Sequence, residues 1–248
     1  MSDRIAIVTG GAQGIGLGIS RELVARGYRL VVWDRDVDAL KALRVKLDID
    51  RESFIGQVVD VTKKAEVESA VQEIIQKWKA PDVLVNNAGI TRDKRLVNME
   101  EEDWDAVLDV NLKSQFLCCK AVVPGMIEAG EGRIINISSR AWLGGFGQAN
   151  YSAAKGGVVS LTRTLAIELA RKGITVNAVA PGIVETPLMQ SYTDEQRQHL
   201  EKTVPVGRMG KPEDIARAVA FFADKENSYI TGQLLYVCGG RSLSSQSV

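Results

Sequence analysis

Short apolar runs rich in β-branched residues alternate with longer, helix-like segments from one end of the chain to the other. The strand-like runs lie at residues 4–10, 28–34, 54–61, 82–89, 132–139, 174–182 and 233–240. Strands that alternate with helices form a parallel sheet, and strands buried on both faces are nearly continuous apolar runs. The alternation therefore predicts the α/β class: a doubly wound parallel seven-stranded sheet with helices on both faces.

The segments between these runs show no break in composition and no linker rich in proline or glycine, so we expect a single domain over residues 1–248. Thr62 is placed to cap a helix that ends near Trp78, and a long helix is predicted over 101–129. The irregular segment 182–205 follows the carboxyl end of a strand. Ligands bind at such ends in open α/β sheets, so we expect this segment to act as a lid.

The charge balance narrows the class of partner. Lys+Arg and Asp+Glu both number 31, so the formal net charge is zero. No basic block stands out, which argues against nucleic-acid binding, and no apolar run reaches membrane-spanning length. The three cysteines, Cys118, Cys119 and Cys238, show no metal-ligand spacing, so no metal is expected. Without a signal peptide, the chain is expected to be cytoplasmic, with small molecules or copies of itself as partners.

A glycine-rich turn follows the first strand and opens the first helix. It reads TGGAQGIG over residues 9–16, with glycines at 10, 14 and 16. Glycines let the backbone turn tightly and approach a pyrophosphate, while the helix N-terminus offers amides and the positive end of its dipole. The turn therefore predicts a dinucleotide site.

The second strand ends in Asp34, eighteen residues after Gly16. A carboxylate there can accept hydrogen bonds from the two ribose hydroxyls of an adenosine, and its charge would repel a 2′-phosphate. Arg35 follows at once and could accommodate that phosphate. We expect NAD, with NADP left open. Asp60, at the end of the third strand, could accept a hydrogen bond from an adenine amino group.

A tyrosine and a lysine are spaced by four residues in the segment NYSAAKGG, at Tyr151 and Lys155. In a helix such a pair lies one turn apart on the same face. A cation beside a phenol favours the phenolate, so the pKa of Tyr151 is expected to fall. This would make Tyr151 an acid or base that is usable near neutral pH.

Taken together, five motifs resemble those of the short-chain dehydrogenase/reductase family. They occur in order along the chain: TGGAQGIG, NNAG at 86–89, INISS at 135–139, YSAAK at 151–155 and PGIVETPL at 181–188. The resemblance runs from Arg4 to Gly240. It implies a Rossmann-type fold, a nicotinamide cofactor, redox chemistry between alcohols and carbonyls, and a homotetramer.

The resemblance also implies roles for particular residues. Tyr151 matches the catalytic acid/base and Lys155 its partner, while Asn111 matches the asparagine that supports a proton relay to the lysine. Ser138 matches the hydroxyl that holds the substrate oxygen. Ser139 could take that place, because the strand end offers both, but the thirteen-residue spacing to Tyr151 favours Ser138.

The same resemblance implies a set of cofactor contacts spread over the strand ends. Asn87 belongs near the adenosine side of the cleft, and Val184 and Thr186 near the nicotinamide. The full set is Gly10, Gln13, Gly14, Ile15, Gly16, Asp34, Asp60, Val61, Asn87, Gly89, Tyr151, Lys155, Val184 and Thr186.

Two stretches, NNAGITRD at 86–93 and residues 205–233, resemble the beta-ketoacyl-acyl-carrier-protein reductase branch of this family. Such reductases mostly use NADPH, whereas Asp34 favours NAD. We therefore predict an NAD-dependent oxidoreductase that interconverts a secondary alcohol and a ketone. The alternatives are an NADPH-dependent 3-oxoacyl-(acyl-carrier-protein or CoA) reductase and a catalytically silent NAD-binding sensor or scaffold. Near the expected pocket, Arg92, Arg95 and Arg140 could each bind an anion or simply be solvated.

Overall fold

The computed structural model describes residues 3–187 and 192–243. Seven strands join one parallel sheet in the order β3-β2-β1-β4-β5-β6-β7. The strands are β1 Ile5–Thr9, β2 Arg29–Asp34, β3 Phe54–Val58, β4 Val83–Asn86, β5 Gly132–Ile137, β6 Ile174–Pro181 and β7 Leu234–Val237. The predicted α/β, doubly wound, seven-stranded parallel sheet is confirmed.

Helices cover both faces of this sheet and bury two separate apolar clusters against it. The helices are α1 Gly14–Ala25, α2 Val37–Leu47, α3 Lys64–Lys77, α4 Glu101–Leu108, α5 Ser114–Ala129, α6 Ala149–Leu169, α7 Asp194–Lys202 and α8 Pro212–Ala223. Helices α1, α2 and α8 pack on one face, and α3, α5 and α6 pack on the other. Because each strand except the edge ones is buried on both faces, its side chains are apolar at nearly every position.

The strand order reverses between β1 and β4, and ligands of doubly wound sheets bind in the crevice at that point. Side chains tie the two strand ends together. The Thr9 hydroxyl accepts hydrogen bonds from the backbone amides of Asn87 and Ala88, each at 3.0 Å. The Asn87 side-chain amide donates to the carbonyls of Thr9 and Gly10, also at 3.0 Å. These hydrogen bonds hold the ends of β1 and β4 together at the base of the crevice.

The long helix predicted over 101–129 is present, but it is not a regular α-helix throughout. Between α4 and α5 it passes through a π-helical turn, Asp109–Lys113, which holds Asn111. Turns of this kind occur mostly as single insertions and frequently at functional sites.

The predicted cap at Thr62 is wrong. Helix α3 begins at Lys64, and its N-cap residue Lys63 makes no side-chain capping bond. The Thr62 hydroxyl instead donates to Asp60 Oδ1 at 2.7 Å. Of the predicted lid, residues 188–191 lie outside the described part of the chain, and its closure stays a prediction. Among the described residues, no helix is both long enough and apolar enough to cross a membrane.

Candidate active site

The first two turns of α6 place Tyr151 and Lys155 on one face, as the four-residue spacing predicts. The Lys155 ammonium lies 5.6 Å from the centre of the Tyr151 ring. Lys155 is almost completely buried and donates to the Ile137 carbonyl at 2.8 Å. Burial lowers the pKa of Lys155 to about 8, because a charged ammonium loses its hydration there.

The expected fall in the pKa of Tyr151 is not found. Burial raises the pKa of this phenol, a hydrogen bond from Ser139 lowers it in part, and the charge of Asp93 raises it further. The prediction assumed that the lysine would sit beside the phenol oxygen. In the structure its ammonium is held by the Ile137 carbonyl instead.

The two serines at the end of β5 point in different directions. Ser138 is buried, and its hydroxyl donates to the Lys155 backbone carbonyl at 2.9 Å. The Ser139 hydroxyl accepts from the Ala141 amide at 3.1 Å and lies close enough to the Tyr151 phenol to lower its pKa. The expectation that Ser138 faces the catalytic tyrosine is therefore wrong, and Ser139 occupies that place.

The alternation of side chains along β5 explains this correction. Successive side chains of a strand point to opposite faces of the sheet. Asn136 reaches towards α6, where its amide donates to the Thr162 hydroxyl at 2.9 Å, and Ser138 continues on the same face. Ser138 thus packs against the backbone of α6 at Lys155, whereas Ser139, just beyond the strand, reaches the side chain of Tyr151 on the same helix.

Asn111 is fully buried, and the backbone around Ile90 fixes its side chain. Its amide donates to the carbonyls of Ile90 and Val107 at 2.8 and 3.0 Å, and its oxygen accepts from the Ile90 amide at 3.2 Å. A Cβ on Gly89 would lie 2.5 Å from Asn111 Oδ1 and 3.6 Å from Lys155 Nζ. The structure thus brings Asn111, Gly89 and Lys155 together, as predicted.

A buried polar layer behind these residues was not predicted. The Asn86 amide donates to Asn136 Oδ1 at 2.9 Å and to Cys119 Sγ at 3.3 Å. With the bond from Asn136 to Thr162, the layer links β4, β5, α5 and α6. Burial raises the pKa of Cys119 to about 12, so this thiol stays protonated. The layer therefore positions the elements that carry Tyr151 and Lys155.

The glycine-rich turn has the geometry that a dinucleotide needs. Gly10 and Gly14 have φ values of +61° and +51°, which side-chain-bearing residues rarely adopt, and a Cβ on Gly16 would lie 2.0 Å from the Gly10 carbonyl oxygen. Gln13, the N-cap of α1, makes no side-chain capping bond, and the described first turn holds no acidic residue. The amides there suit an anion. Predicted contacts on this turn are Gly10, Gln13, Gly14, Ile15 and Gly16.

The side chain of Thr186 lies against this turn. Its Cγ2 is 3.6 Å from the position that a Cβ on Gly14 would take. Thr186 therefore lies where a pyrophosphate would approach the helix. Val184 is buried and pairs through a β-bridge with Gly210, so its side chain belongs to the core. Val61 is likewise buried in the core, which leaves its backbone for any cofactor contact.

Asp34 is held at the end of β2 beside the glycine-rich turn. Its two carboxylate oxygens accept from the amides of Ala12 and Asp36, each at 3.1 Å. Arg35 is exposed and lies towards Asp60. Burial raises the pKa of Asp60, but two hydrogen bonds from Thr62 and the charge of Arg35 outweigh it, so the net pKa is lowered. The residues at these strand ends fit the adenosine of a nicotinamide cofactor.

The described residues contain no group of three His, Cys, Asp or Glu side chains that could hold a metal ion. Buried donors also remain near the site. Arg140 Nε and Trp142 Nε1, in the turn that follows Ser139, are buried without a hydrogen-bond partner in the part of the chain that the structure describes. Sequence reasoning left open whether Arg140 binds an anion.

Comparisons with known proteins agree with this geometry. A family model described as enoyl-(acyl carrier protein) reductase matches residues 10–242. The chain is 44% identical over 243 residues to (2S)-[(R)-hydroxy(phenyl)methyl]succinyl-CoA dehydrogenase subunit BbsD of Thauera aromatica, covering 98% of each chain. It is 42% identical over 238 residues to 3-oxoacyl-[acyl-carrier-protein] reductase FabG of Escherichia coli K12, covering 96% of each chain.

A solved structure shows the same architecture. The crystal structure of a protein assigned as a gluconate dehydrogenase from Agrobacterium tumefaciens superposes with a TM-score of 0.93 at 31% identity, covering 98% of this chain and 97% of that one. These matches support an oxidoreductase that acts on hydroxyl and carbonyl groups with a nicotinamide cofactor. The chain belongs to the short-chain dehydrogenase/reductase family, in its beta-ketoacyl-acyl-carrier-protein reductase-like branch.

Proposed function

We propose that this protein is an NAD-dependent oxidoreductase that interconverts a secondary alcohol and a ketone, with Tyr151 as the acid/base. The observation that carries the proposal is the position of the Ser139 hydroxyl beside the Tyr151 phenol, whose pKa it lowers, one helical turn from the buried Lys155. A donor and a proton-transfer group that share one oxygen position can bind an alcohol or carbonyl between them.

Each residue of the site has its own role when the alcohol is oxidised. A bound nicotinamide would supply the hydride chemistry, as acceptor in oxidation and donor in reduction. Tyr151 must be a phenolate to take the hydroxyl proton in oxidation. In reduction the neutral phenol, which its raised pKa favours, gives that proton to the carbonyl oxygen, and Ser139 holds the substrate oxygen in both directions. The Ser139 oxygen already accepts from the Ala141 amide, which leaves its own proton to donate. Lys155, buried one turn along the same helix with a pKa of about 8, can exchange a proton near neutral pH, and Asn111 fixes the backbone beside it.

The preference for NAD rests on Asp34. Its carboxylate stands at the end of β2 and is held by two backbone amides, so it cannot swing away from a phosphate without losing both bonds. A 2′-phosphate at that position would meet a like charge in a partly buried place, and such juxtapositions cost several kcal/mol. Arg35 could still bind a 2′-phosphate, but it is exposed and its charge acts on Asp60, whose pKa it lowers. It therefore argues only weakly for NADP.

A second candidate function is reduction of a 3-oxoacyl thioester, carried by an acyl-carrier protein or CoA, with NADPH. It is favoured by the relatives, which are named for acyl-carrier-protein and CoA thioesters. The two candidates share the chemistry at Tyr151 and differ in cofactor and substrate. A catalytically silent NAD-binding sensor or scaffold has less support, because Asn111, Ser139, Tyr151 and Lys155 are all in place.

We also propose a homotetramer. Apolar side chains stand exposed on surfaces that a second copy could cover: Trp104, Phe116 and Ile127 on α4 and α5, and Phe221 and Leu235 on α8 and β7. Closed symmetric assemblies bury such patches. Light scattering at micromolar concentration should report four copies, and a monomer would refute this part of the proposal.

The test of the main proposal follows reduced nicotinamide by absorbance. NAD and NADP are offered separately with a panel of secondary alcohols, cyclic alcohols and 3-oxoacyl thioesters. We expect turnover of an alcohol with NAD and weak turnover with NADP. The variant Asp34→Asn should lower the NAD-to-NADP ratio of kcat/KM by about 10-fold or more, since it removes the repelling charge. Asp38→Asn, an exposed acid on α2, is the matched control.

Two other results would support the alternative functions. Thioester reduction that prefers NADPH would establish the second candidate. Cofactor binding in calorimetry without turnover of any compound would support the silent sensor or scaffold.

A further inference from the structure

Arg140 is a cation placed next to the reacting centre without a partner. It opens the 3-10 turn Arg140–Leu143 directly after Ser139. Its Nε is buried and unpaired, and its guanidinium makes no hydrogen bond or ion pair with any residue that the structure describes. Adjacent residues have Cα atoms about 3.8 Å apart, so this side chain starts beside the hydroxyl that contacts Tyr151.

A second guanidinium, that of Arg241, lies close to the first. The chain turns tightly after β7, with the Arg241 amide donating to the Cys238 carbonyl at 3.2 Å. A Cβ on Gly182 would lie 2.8 Å from Cys238 Cα, so the end of β6 packs directly against this turn. Only β6 separates β5 from β7 in the sheet. Burial and the nearby charge of Arg140 both lower the pKa of Arg241.

The buried Arg140 Nε lacks a partner among the described residues, which is costly unless an anion binds there. Burying a charge without a partner is unfavourable, and two like charges add repulsion. The planar guanidinium fork matches a carboxylate or a phosphate in two parallel hydrogen bonds. An anion bound at Arg140 would satisfy the buried Nε and reduce the repulsion with Arg241.

The position of Arg140 indicates which class of anion it binds. The phosphates of a dinucleotide belong at the turn between β1 and α1, and β1 is separated from β5 by β4. The phosphates of a CoA thioester are held away from the reacting carbon by the long pantetheine arm. A carboxylate only a few bonds from the carbinol carbon matches a guanidinium that begins next to Ser139.

We propose that Arg140, with Arg241 beside it, binds a carboxylate of the substrate, so that the preferred substrates are acidic secondary alcohols or the matching keto acids. The inference rests on the proposed function, because it places this carboxylate relative to the carbon that Tyr151 and Ser139 serve. If the substrate is a thioester, its acyl part carries a second, free carboxylate.

The experiment uses pairs of secondary alcohols of equal chain length, one ending in a methyl group and the other in a carboxylate. Each pair is offered as the free alcohol, as the CoA thioester and as the N-acetylcysteamine thioester, which lacks phosphates. The readout is the ratio of kcat/KM for the carboxylate member to that for the methyl member. This ratio should exceed one in the wild type and fall about 10- to 100-fold in Arg140→Gln, as the loss of a charge-assisted hydrogen bond implies.

Arg140→Lys should recover part of the ratio, because it keeps the charge and loses the fork. Arg163→Gln, which removes an exposed arginine from α6, is the matched control and should leave the ratio unchanged. An unchanged ratio in Arg140→Gln would overturn the proposal. So would a loss confined to the CoA thioesters, since it would assign Arg140 to a phosphate.

Failure of the inference can be told apart from failure of the proposed function. If the wild type oxidises neither member of any pair, the hydride-transfer proposal fails. Calorimetry with glutarate as the probe then still tests the anion site. Binding to the wild type that weakens at least 10-fold in Arg140→Gln supports the site, and equal binding to both proteins rejects it.

Discussion

The two halves of the crevice are built by opposite means. The nucleotide half, at the ends of β1 and β2, is shaped by side chains that are absent, because a Cβ on Gly10 or Gly16 would crowd backbone and Gly14 has a φ of +51°. The catalytic half, at the ends of β4 and β5, is shaped by buried polar side chains, with Lys155 and Asn111 each held by backbone carbonyls.

This difference determines how each half tolerates change. In the nucleotide half a Cβ added at Gly10 or Gly16 would crowd backbone, so a substitution there acts on binding and folding together. In the catalytic half the polar side chains pay a desolvation cost that hydrogen bonds must offset, and direction matters as much as residue type. Ser138 and Ser139 are chemically identical neighbours, yet one donates to the Lys155 backbone carbonyl and the other lies beside the Tyr151 phenol.

The largest effect is expected at the phenol of the catalytic half. Tyr151→Phe removes the acid/base and one hydrogen bond while keeping the ring, which lies 5.6 Å from the Lys155 ammonium. The expected result is a loss of kcat of ~10²-fold or more with a nearly unchanged melting temperature. Steady-state kinetics and thermal unfolding of the same preparation check both parts. Near-normal turnover would remove Tyr151 from the mechanism.

The next effect separates the two serines. Ser139→Ala should lower kcat by about 10²-fold, the size typical of losing one donor to a developing oxyanion. Ser138→Ala should act mainly on stability, by about 1 kcal/mol, because it removes a buried hydrogen bond to the Lys155 carbonyl. The two variants are each other's controls. The reverse pattern, with kcat lost in Ser138→Ala, would restore the assignment based on spacing.

A third prediction compares one glycine from each half. A Cβ on Gly16 would lie 2.0 Å from the Gly10 carbonyl oxygen, whereas one on Gly156, next to Lys155, would meet nothing within 4 Å. Gly16→Ala should weaken NAD binding at least about 10-fold and lower the melting temperature, since the turn must move. Gly156→Ala should leave binding intact and stabilise the helix by about 0.5–1 kcal/mol. Calorimetric titration with NAD and thermal unfolding measure both. Equal behaviour of the two variants would show that the glycine-rich turn is not tightly packed.

The same contrast explains what could be predicted from the sequence. The seven strands and the glycine-rich turn follow from patterns that extend over many residues: alternating apolar runs and glycines at a strand end. Which serine reaches the Tyr151 phenol depends on how the chain leaves β5, since both serines contact α6. The position of the Lys155 ammonium depends on a single carbonyl, that of Ile137. Such directions come from tertiary packing.

The smallest predicted effect is on the pH dependence of stability, and it tests whether burying the Lys155 ammonium costs hydration free energy. Burial lowers the pKa of Lys155 to about 8, against 10.5 for an ordinary lysine. Between these values the unfolded chain binds the extra proton, so the contribution of Lys155 to the free energy of unfolding rises with pH. For the protein without cofactor, the stability of wild type relative to Lys155→Met should therefore increase by about 1–2 kcal/mol from pH 8 to pH 9.5.

Denaturant unfolding measures this difference. The control Gly156→Ala keeps the lysine, so its stability should differ from that of wild type by the same amount at every pH. If Lys155→Met also gave a constant difference, the ammonium would be as well hydrated in the folded protein as in the unfolded chain. Burial of Lys155 would then carry no desolvation cost, and the contrast between the two halves would rest on the other buried polar side chains.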